Sequence, residues 1–283
     1  MKRSQLAINA VSTRAGLEAS LAAYHAAGFR YVEFPLSMVR EGEHPPEGGH
    51  SLAGVRDLLR KYEMQCIGGF DCVVECFSPP EQRAQNHARI VDNARFLAGL
   101  GGTMMVVGTD GPQELAAVAD PLGDMAGVFA RVADRVADTG VTLCIEFNWS
   151  PLVKSLRAAA EIARRSGRPN VGVVFDPAHY YCTPTKLDQL TAENVAMIRH
   201  VHVDDMRDKP PELSNCNSDR VLPGQGILDL PMLLGRLERH GYEGYFSIEL
   251  FNEELWAMPA AEAAKLMYDS LLYLCDRGCC KVS

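Results

Sequence analysis

Apolar runs of strand length alternate along the chain with segments of helical period. Eight runs are enriched in β-branched residues, as strands are, and they cover residues 6–9, 30–34, 65–70, 103–107, 141–147, 171–176, 199–204 and 244–250. Between them, apolar side chains repeat along one helical face, most clearly at Met125, Val128, Phe129, Val132 and Val136. The pattern predicts eight consecutive βα units.

The predicted helices carry local signals at their ends. Residues Ser78 to Glu81 read Ser-Pro-Pro-Glu, which predicts a capping box with prolines in the first turn of a helix. Glycine ends a helix at low cost because it readily adopts the left-handed conformation, and five glycines follow helical segments: Gly28, Gly101, Gly140, Gly167 and Gly241. These signals agree with the boundaries that the apolar pattern indicates.

Such alternation predicts a parallel sheet that is either open and doubly wound or closed as a barrel. Two features favour the barrel: the repeats number eight, and no Gly-x-Gly-x-x-Gly follows the first strand, as a dinucleotide-binding sheet needs. No linker-like stretch interrupts the pattern. We therefore predict an α/β fold, a single (β/α)8 TIM barrel over residues 1–283, with a polar loop insertion at about residues 207–219.

A net charge of −8 and a pI near 5.5 argue against nucleic acid as a partner, because phosphate backbones are bound by clustered Lys and Arg. No apolar run approaches the roughly 20 residues of a membrane span, and the first residues do not resemble a cleavable signal. The nine cysteines lack the spacing of a disulfide framework. We expect a cytoplasmic protein with a small-molecule partner and no membrane contact; a homo-oligomer is an open alternative.

Residues that can bind a metal stand at the ends of the last four predicted strands. They are Glu146, Asp176, His202 and Glu249. In a barrel all strand C-termini meet on one face, so these side chains can converge although they are far apart in sequence. Three carboxylates and one imidazole form a hard donor set. We expect one divalent metal, Mn²⁺ foremost, with Mg²⁺, Co²⁺ or Zn²⁺ as alternatives.

Two further histidines belong near this predicted site. His200 precedes His202 by two residues on one strand, so both rings face the barrel interior and His200 lies one layer deeper; we interpret it as a hydrogen-bonded core residue. His179 follows Asp176 by three residues, in a position to polarise a substrate, and a rim histidine in contact with water is the alternative. Glu33 ends the second strand and is assigned no role.

The predicted ligands occur together with Asp176-x-x-His179 and with Arg220-Val-Leu-Pro-Gly-Gln-Gly226. In this combination they resemble the xylose isomerase-like TIM barrels over nearly the whole chain. That superfamily includes ketose 3-epimerases, hydroxypyruvate isomerase, inosose and dehydroshikimate dehydratases, and endonuclease IV. The resemblance is specific for the superfamily and carries little information about the substrate.

For this chain the resemblance implies that Glu146 and Glu249 bind the metal and also exchange a substrate proton, while His179 and Arg220 contact substrate oxygens. The chemistry is coherent, because a C–H beside a carbonyl becomes removable when a metal stabilises the developing enediolate. Return of the proton to the other face inverts a centre, and return to the neighbouring carbon interconverts aldose and ketose. We predict an isomerase or epimerase of a small sugar or polyol-like carbonyl compound.

Two positions depart from patterns within the superfamily. Ketose 3-epimerases typically have a glutamate six residues after the first ligand, where this chain has Leu152. The dehydratases often have a lysine two residues after the metal histidine, where this chain has Asp204. The carbanion formed when the proton beside the carbonyl is removed could instead expel a β-hydroxyl, so a metal-dependent dehydratase is the alternative function. A non-catalytic sugar-binding barrel is a further alternative, which the complete ligand set disfavours.

Overall fold

Eight parallel strands form a closed barrel. The computed structural model describes residues 1–40, 51–148 and 150–277, apart from the side chains of Asp71 and Arg277. The barrel strands are β1 Leu6–Asn9, β2 Tyr31–Pro35, β3 Gln65–Val74, β4 Met104–Thr109, β5 Thr142–Glu146, β6 Val171–Phe175, β7 Ile198–Val203 and β10 Phe246–Ile248. Two short strands, β8 Asp205–Met206 and β9 Arg220–Val221, pair with each other outside the barrel. β1 pairs with both β2 and β10 and closes the sheet, so the predicted TIM barrel is confirmed.

Helices connect the strands around the barrel. They are α1 Leu17–Ala27, α2 Leu36–Val39, α3 Leu52–Lys61, α4 Pro80–Leu100, α5 Pro121–Val136, α6 Leu156–Ser166, α7 Pro177–Cys182, α8 Ala192–Val195, α9 Leu230–Arg239, α10 Glu253–Ala257 and α11 Ala260–Arg277. The apolar face predicted for α5 is buried along its length, from Met125 to Val136. Within the described ranges, no helix combines the length and apolar character needed to cross a membrane.

The helix ends match the glycine signals but not the capping box. All five predicted glycines have a positive φ, from 64° at Gly167 to 117° at Gly28. The capping-box prediction is wrong, because α4 begins at Pro80 with Pro79 as its N-cap and no side chain caps it. A proline disfavours the helical conformation in the residue before it, and Pro79 accordingly has an extended ψ of 147°. The helix therefore begins one residue too late for Ser78 to cap it.

The barrel interior changes from apolar to polar toward the C-terminal ends of the strands. An apolar layer fills the lower part, with Ala7, Cys144 and Val174 among its members. Side chains two positions apart on a strand face the same way. Asn9 and Glu146 therefore also point inward, one layer higher, and the polar layer begins there. The site predicted from the strand ends lies in this layer.

Candidate active site

The four predicted ligands meet at the C-terminal face of the barrel. Each offers an atom within 4.8 Å of the other three. Glu146 ends β5, His202 lies within β7, and Glu249 directly follows β10. Asp176 follows β6 and caps α7, since its Oδ1 accepts a hydrogen bond from the backbone N–H of His179 at 2.9 Å. Capping fixes one carboxylate oxygen and leaves Oδ2 directed into the site.

The donor atoms fit a divalent cation. His202 Nδ1 lies 3.5 Å from Asp176 Oδ2 and 3.2 Å from Glu249 Oε2. Within the described part of the chain, Asp176 Oδ2 and His202 Nδ1 are buried and make no hydrogen bond of normal geometry. Buried polar atoms usually have such a partner, and hard oxygen and nitrogen donors are those that divalent cations prefer. With Glu146 and Glu249, these residues would hold the metal.

Arg220 lies fully buried against these carboxylates. Its guanidinium nitrogens are 3.0 Å from Asp176 Oδ2 and 2.8 Å from Glu249 Oε2. They also lie 2.8 Å from Asp204 Oδ2, and Nε donates to the backbone carbonyl of Cys216 at 2.6 Å. Burial raises the pKa of Asp176, but Arg220, His179 and His202 together outweigh burial and hold this pKa well below its usual value. One cation thus compensates the charge of several buried acids.

His179 and Asn148 hold Glu146. His179 Nε2 lies 3.1 Å from Glu146 Oε1, and Asn148 Nδ2 donates to Glu146 Oε2 at 2.8 Å. Burial lowers the pKa of His179, but the carboxylates of Asp176 and Glu146 raise it to about 10. The side chain of Glu146 is 20% exposed, against 5% for Glu249. Glu146 is therefore the more open of the two glutamates.

Glu249 is held from a different part of the barrel. Asn9, at the end of β1, donates from Nδ2 to Glu249 Oε1 at 2.7 Å. The other side of the same amide accepts from the backbone of Val11 at 3.0 Å, which fixes its orientation. Since Arg220 contacts Oε2, both oxygens of Glu249 are positioned. β6 and β7 separate β5 from β10 in the barrel, so the two glutamates approach from different sides.

A cavity of about 120 Å³ opens over these side chains. Its polar lining includes Glu146, His202 and Glu249 together with the two predicted substrate contacts, His179 and Arg220. The apolar part of its lining comes from Phe70, Val106 and Phe251. A lining of this mixed character suits a small compound that presents both hydroxyl and C–H groups.

Glu33, which was assigned no role, lies in the polar layer beneath this cavity and is fully buried. Its two oxygens are each 3.1 Å from an imidazole nitrogen, Oε2 from His200 Nε2 and Oε1 from His202 Nε2. Ser247 also donates to Oε1, at 2.7 Å. His200 is buried, one layer below His202 as expected.

Among the polar residues that contact the predicted ligands, sequence reasoning missed Asn9, Asn148 and Glu33. Asn9 and Asn148 are polar residues at or just after strand ends, and this position is the sequence feature that could have identified them. Glu33 stands within an apolar strand, and a charged residue there is a signal as well. Its contact with His202 depends on how the strands are staggered, which the pattern alone does not reveal.

Curated relatives match part of the chain. Over 145 residues it is 32% identical to the inosose isomerase of Halalkalibacterium halodurans. The matched stretch covers 50% of this chain and 51% of that protein. Over 167 residues it is 30% identical to the 3-dehydroshikimate dehydratase of Pseudomonas aeruginosa. The matched stretch covers 55% of this chain and 25% of that protein. The chain thus spans about half the length of the first relative and a quarter of the second.

The fold and the family are shared along most of the chain. The barrel is similar to the crystal structure of the IOLI protein with a bound zinc atom, with a TM-score of 0.83 and 22% identity over 96% of this chain and 98% of that one. At this identity the likeness concerns the fold. The model of the xylose isomerase-like TIM barrel family matches residues 21–273. The chain therefore belongs to the xylose isomerase-like TIM barrel family.

Proposed function

We propose that this chain is a divalent-metal-dependent isomerase or epimerase of a small sugar or polyol-like carbonyl compound. The supporting observation is the pair Glu146 and Glu249, which line one cavity and approach it from different sides of the barrel. A bound metal, for which we expect Mn²⁺, would polarise the substrate carbonyl and so acidify the neighbouring C–H. The side chains of the site would orient the substrate and transfer the proton.

The two glutamates act as base and acid. A proton-transfer group must lie within hydrogen-bond reach of the reacting atom, and both carboxylates reach the same cavity. His179 and Asn148 orient Glu146, and Asn9 with Arg220 orients Glu249, so each carboxylate is in place before the substrate binds. One glutamate removes the substrate proton and becomes protonated, and the other donates its own proton to the opposite face or to the neighbouring carbon.

His179 and Arg220 bind substrate oxygens. Both line the cavity beside the glutamates, and both present N–H donors. Donors directed at an oxygen where negative charge develops stabilise the transition state more than the ground state. We therefore assign to these two side chains the stabilisation of the enediolate oxygens.

Dehydration at the same site is the second candidate, since one relative is a 3-dehydroshikimate dehydratase. This reaction needs an acid that protonates the departing hydroxyl. Asp204, which stands where the dehydratases often have a lysine, is fully buried and pairs with Arg220 at 2.8 Å. It does not line the cavity. Dehydration would therefore use one of the acids that do line the cavity, Glu146, Glu249 or His179.

Exchange of substrate C–H with deuterated water tests the proposal. Metal-loaded protein would be incubated with inososes first, because of the relative named inosose isomerase, and then with ketoses and keto acids. We expect NMR to detect deuterium incorporation into at least one of these compounds, and none after chelation of the metal. Loss of water from the substrate would support the dehydratase. No exchange across the whole panel would contradict the proposal.

A further inference from the structure

The Glu33 cluster is a buried polar group that the proposed mechanism does not use. The carboxylate has no exposed surface, and its charge lies inside the barrel among His200, His202 and Ser247. An unpaired carboxylate in such a place is strongly unfavourable. An apolar residue would fill the same space without the free-energy cost of burying a charge. We therefore expect the cluster to have a role other than packing.

His202 links this cluster to the metal site because its two ring nitrogens face opposite partners. Nδ1 points to the carboxylates of Asp176 and Glu249, and Nε2 lies 3.1 Å from Glu33 Oε1. A neutral imidazole has one N–H and one lone pair. To offer its lone pair to a cation from Nδ1, His202 must carry its proton on Nε2.

A carboxylate beside Nε2 stabilises that tautomer. It can accept the proton as a hydrogen bond, and its negative charge increases the electron density that Nδ1 can donate. Nε2 and Oε1 lie 3.1 Å apart, within reach of an N–H···O hydrogen bond, although in the described part of the chain Nε2, like Nδ1, makes no hydrogen bond of normal geometry. The other contacts hold the carboxylate in place, since Ser247 donates to the same oxygen and His200 faces the second one.

We propose that Glu33 is a positioning residue for the metal centre, which sets the tautomer and the ring orientation of His202 and thereby the affinity for the divalent cation. The proposal rests on the metal site of the proposed function. It does not depend on which carbonyl compound is the substrate or whether the reaction is isomerisation or dehydration.

A purely structural role for Glu33 makes a different prediction. If the cluster were only a buried charge pair, a change at Glu33 would alter the stability of the metal-free protein and leave the cation affinity as it was. Glu33→Gln discriminates between the two roles, because the amide has nearly the same volume but carries no charge. Glu254→Gln is the matched control, since it makes the same change at a side chain that is 76% exposed and pairs with Arg207 at the surface.

The test uses the metal alone. Zn²⁺ and Mn²⁺ affinities of the wild type and both variants would be measured by competition with a chromophoric chelator, together with unfolding midpoints. We expect Glu33→Gln to weaken binding by about 10–100-fold, the scale for partners of metal-bound histidines, and Glu254→Gln to stay near the wild type. Equal affinities in the wild type and Glu33→Gln would overturn the proposal, whatever the unfolding midpoints.

A second measurement does not depend on a variant that folds. In the Zn²⁺-loaded wild type, ¹⁵N NMR of labelled histidine should assign the proton of His202 to Nε2 and the metal to Nδ1. The reverse assignment would overturn the proposal. Failure of the proposed function would appear separately, as a loaded protein that binds metal normally but exchanges no substrate proton. Absence of metal binding in the wild type would overturn both.

Discussion

Arg220 shows how one residue can serve the site and the fold together. The family resemblance implies that it contacts substrate oxygens. The structure adds that the side chain has no exposed surface and lies within 3.0 Å of Asp176, Asp204 and Glu249. A cation buried among carboxylates cannot be removed without leaving their charges uncompensated.

We therefore predict that Arg220→Ala lowers both turnover and stability. Breaking a buried ion pair from one side costs about 3–5 kcal/mol, which urea unfolding of the metal-free protein would measure. Added divalent cation should reduce this loss, because it takes over compensation of the same carboxylates. Arg207→Ala is the control, since Arg207 is 45% exposed and pairs with Glu254 at the surface. Unchanged stability in metal-free Arg220→Ala would contradict the prediction.

The two glutamates can be tested by removing the base and keeping an oxygen donor. Glu146→Gln and Glu249→Gln should still bind metal but lose substrate C–H exchange by about 10²–10⁴-fold, the range for loss of a general acid or base. Deuterium incorporation and metal content would be measured on the same samples. Glu254→Gln is the matched control, because that side chain is 76% exposed. Retained exchange in both site variants would exclude this pair.

At this scale the sequence predicts residues whose position along a strand defines their role. Glu146, Asp176, His202 and Glu249 could be proposed together because strand ends converge in any barrel. Asn9 and Asn148 could not be distinguished from ordinary polar residues at loop entries. Their role follows from a carboxylate oxygen lying 2.7–2.8 Å away, which depends on side-chain conformation.

At the scale of elements, the ribbon of β8 and β9 positions Arg220. Asp205 ties the ribbon to the segment that follows it, because its carboxylate accepts hydrogen bonds from the backbone N–H groups of four residues. The distances are 2.9–3.0 Å, and the donors are Met206, Gly224, Gly226 and Leu228. The segment also has no room for a side chain at Gly226, where a Cβ would lie 2.3 Å from the carbonyl oxygen of Met206. The segment that resembles the family motif is thus folded around one buried acid.

Asp205→Asn should loosen this segment. An amide can present one oxygen to the four N–H donors, and its NH2 group faces donors that it cannot satisfy. Hydrogen bonds to a charged group contribute about 1.5–3 kcal/mol, so we expect a destabilisation of that size in urea unfolding. Turnover should also fall, because Arg220 loses its fixed position. Asp208→Asn, at an exposed site in the same loop, should change neither; equal effects of the two substitutions would argue against the role of Asp205.

The helix ends show which element boundaries are determined by a single residue and which depend on several neighbours. Glycines such as Gly167 were predicted correctly because a positive φ depends on the residue itself. The capping box failed because two prolines compete for the same positions: Pro80 keeps Pro79 extended, and the helix begins later than Ser78 requires. A signal that needs several residues in fixed positions is lost when one neighbour shifts the boundary.

For the whole molecule, the count of βα units predicted closure, whereas the stagger of the strands could not be predicted. β2 shifts register against β3 between Val32 and Glu33, and β6 shifts against β7 between Val173 and Val174. Such shifts change which side chains share a layer in the barrel. Apolar periodicity along single strands contains no information about these shifts.

Closure also determines what a metal does for stability. The ligands come from four strand ends, so a cation bound to them joins parts of the barrel that are separated by more than a hundred residues in sequence. A ligand that binds only the folded state stabilises it by mass action, by about 2.7 kcal/mol when its concentration is 100 times the dissociation constant. We therefore predict that divalent metal raises the unfolding midpoint and that chelation lowers it.

His202→Ala should abolish this metal-dependent shift and lower the bound metal and the activity together. The readout is the difference between midpoints with metal and with chelator, because the substitution also leaves Glu33 without one of its partners and changes the metal-free stability. His25→Ala is the control: His25 lies in the last turn of α1 and contacts Glu63 at 4.0 Å, outside the site, so its shift should equal that of the wild type. A full shift in His202→Ala would mean that the metal stabilises the barrel from another place, and the ligand assignment would then be wrong.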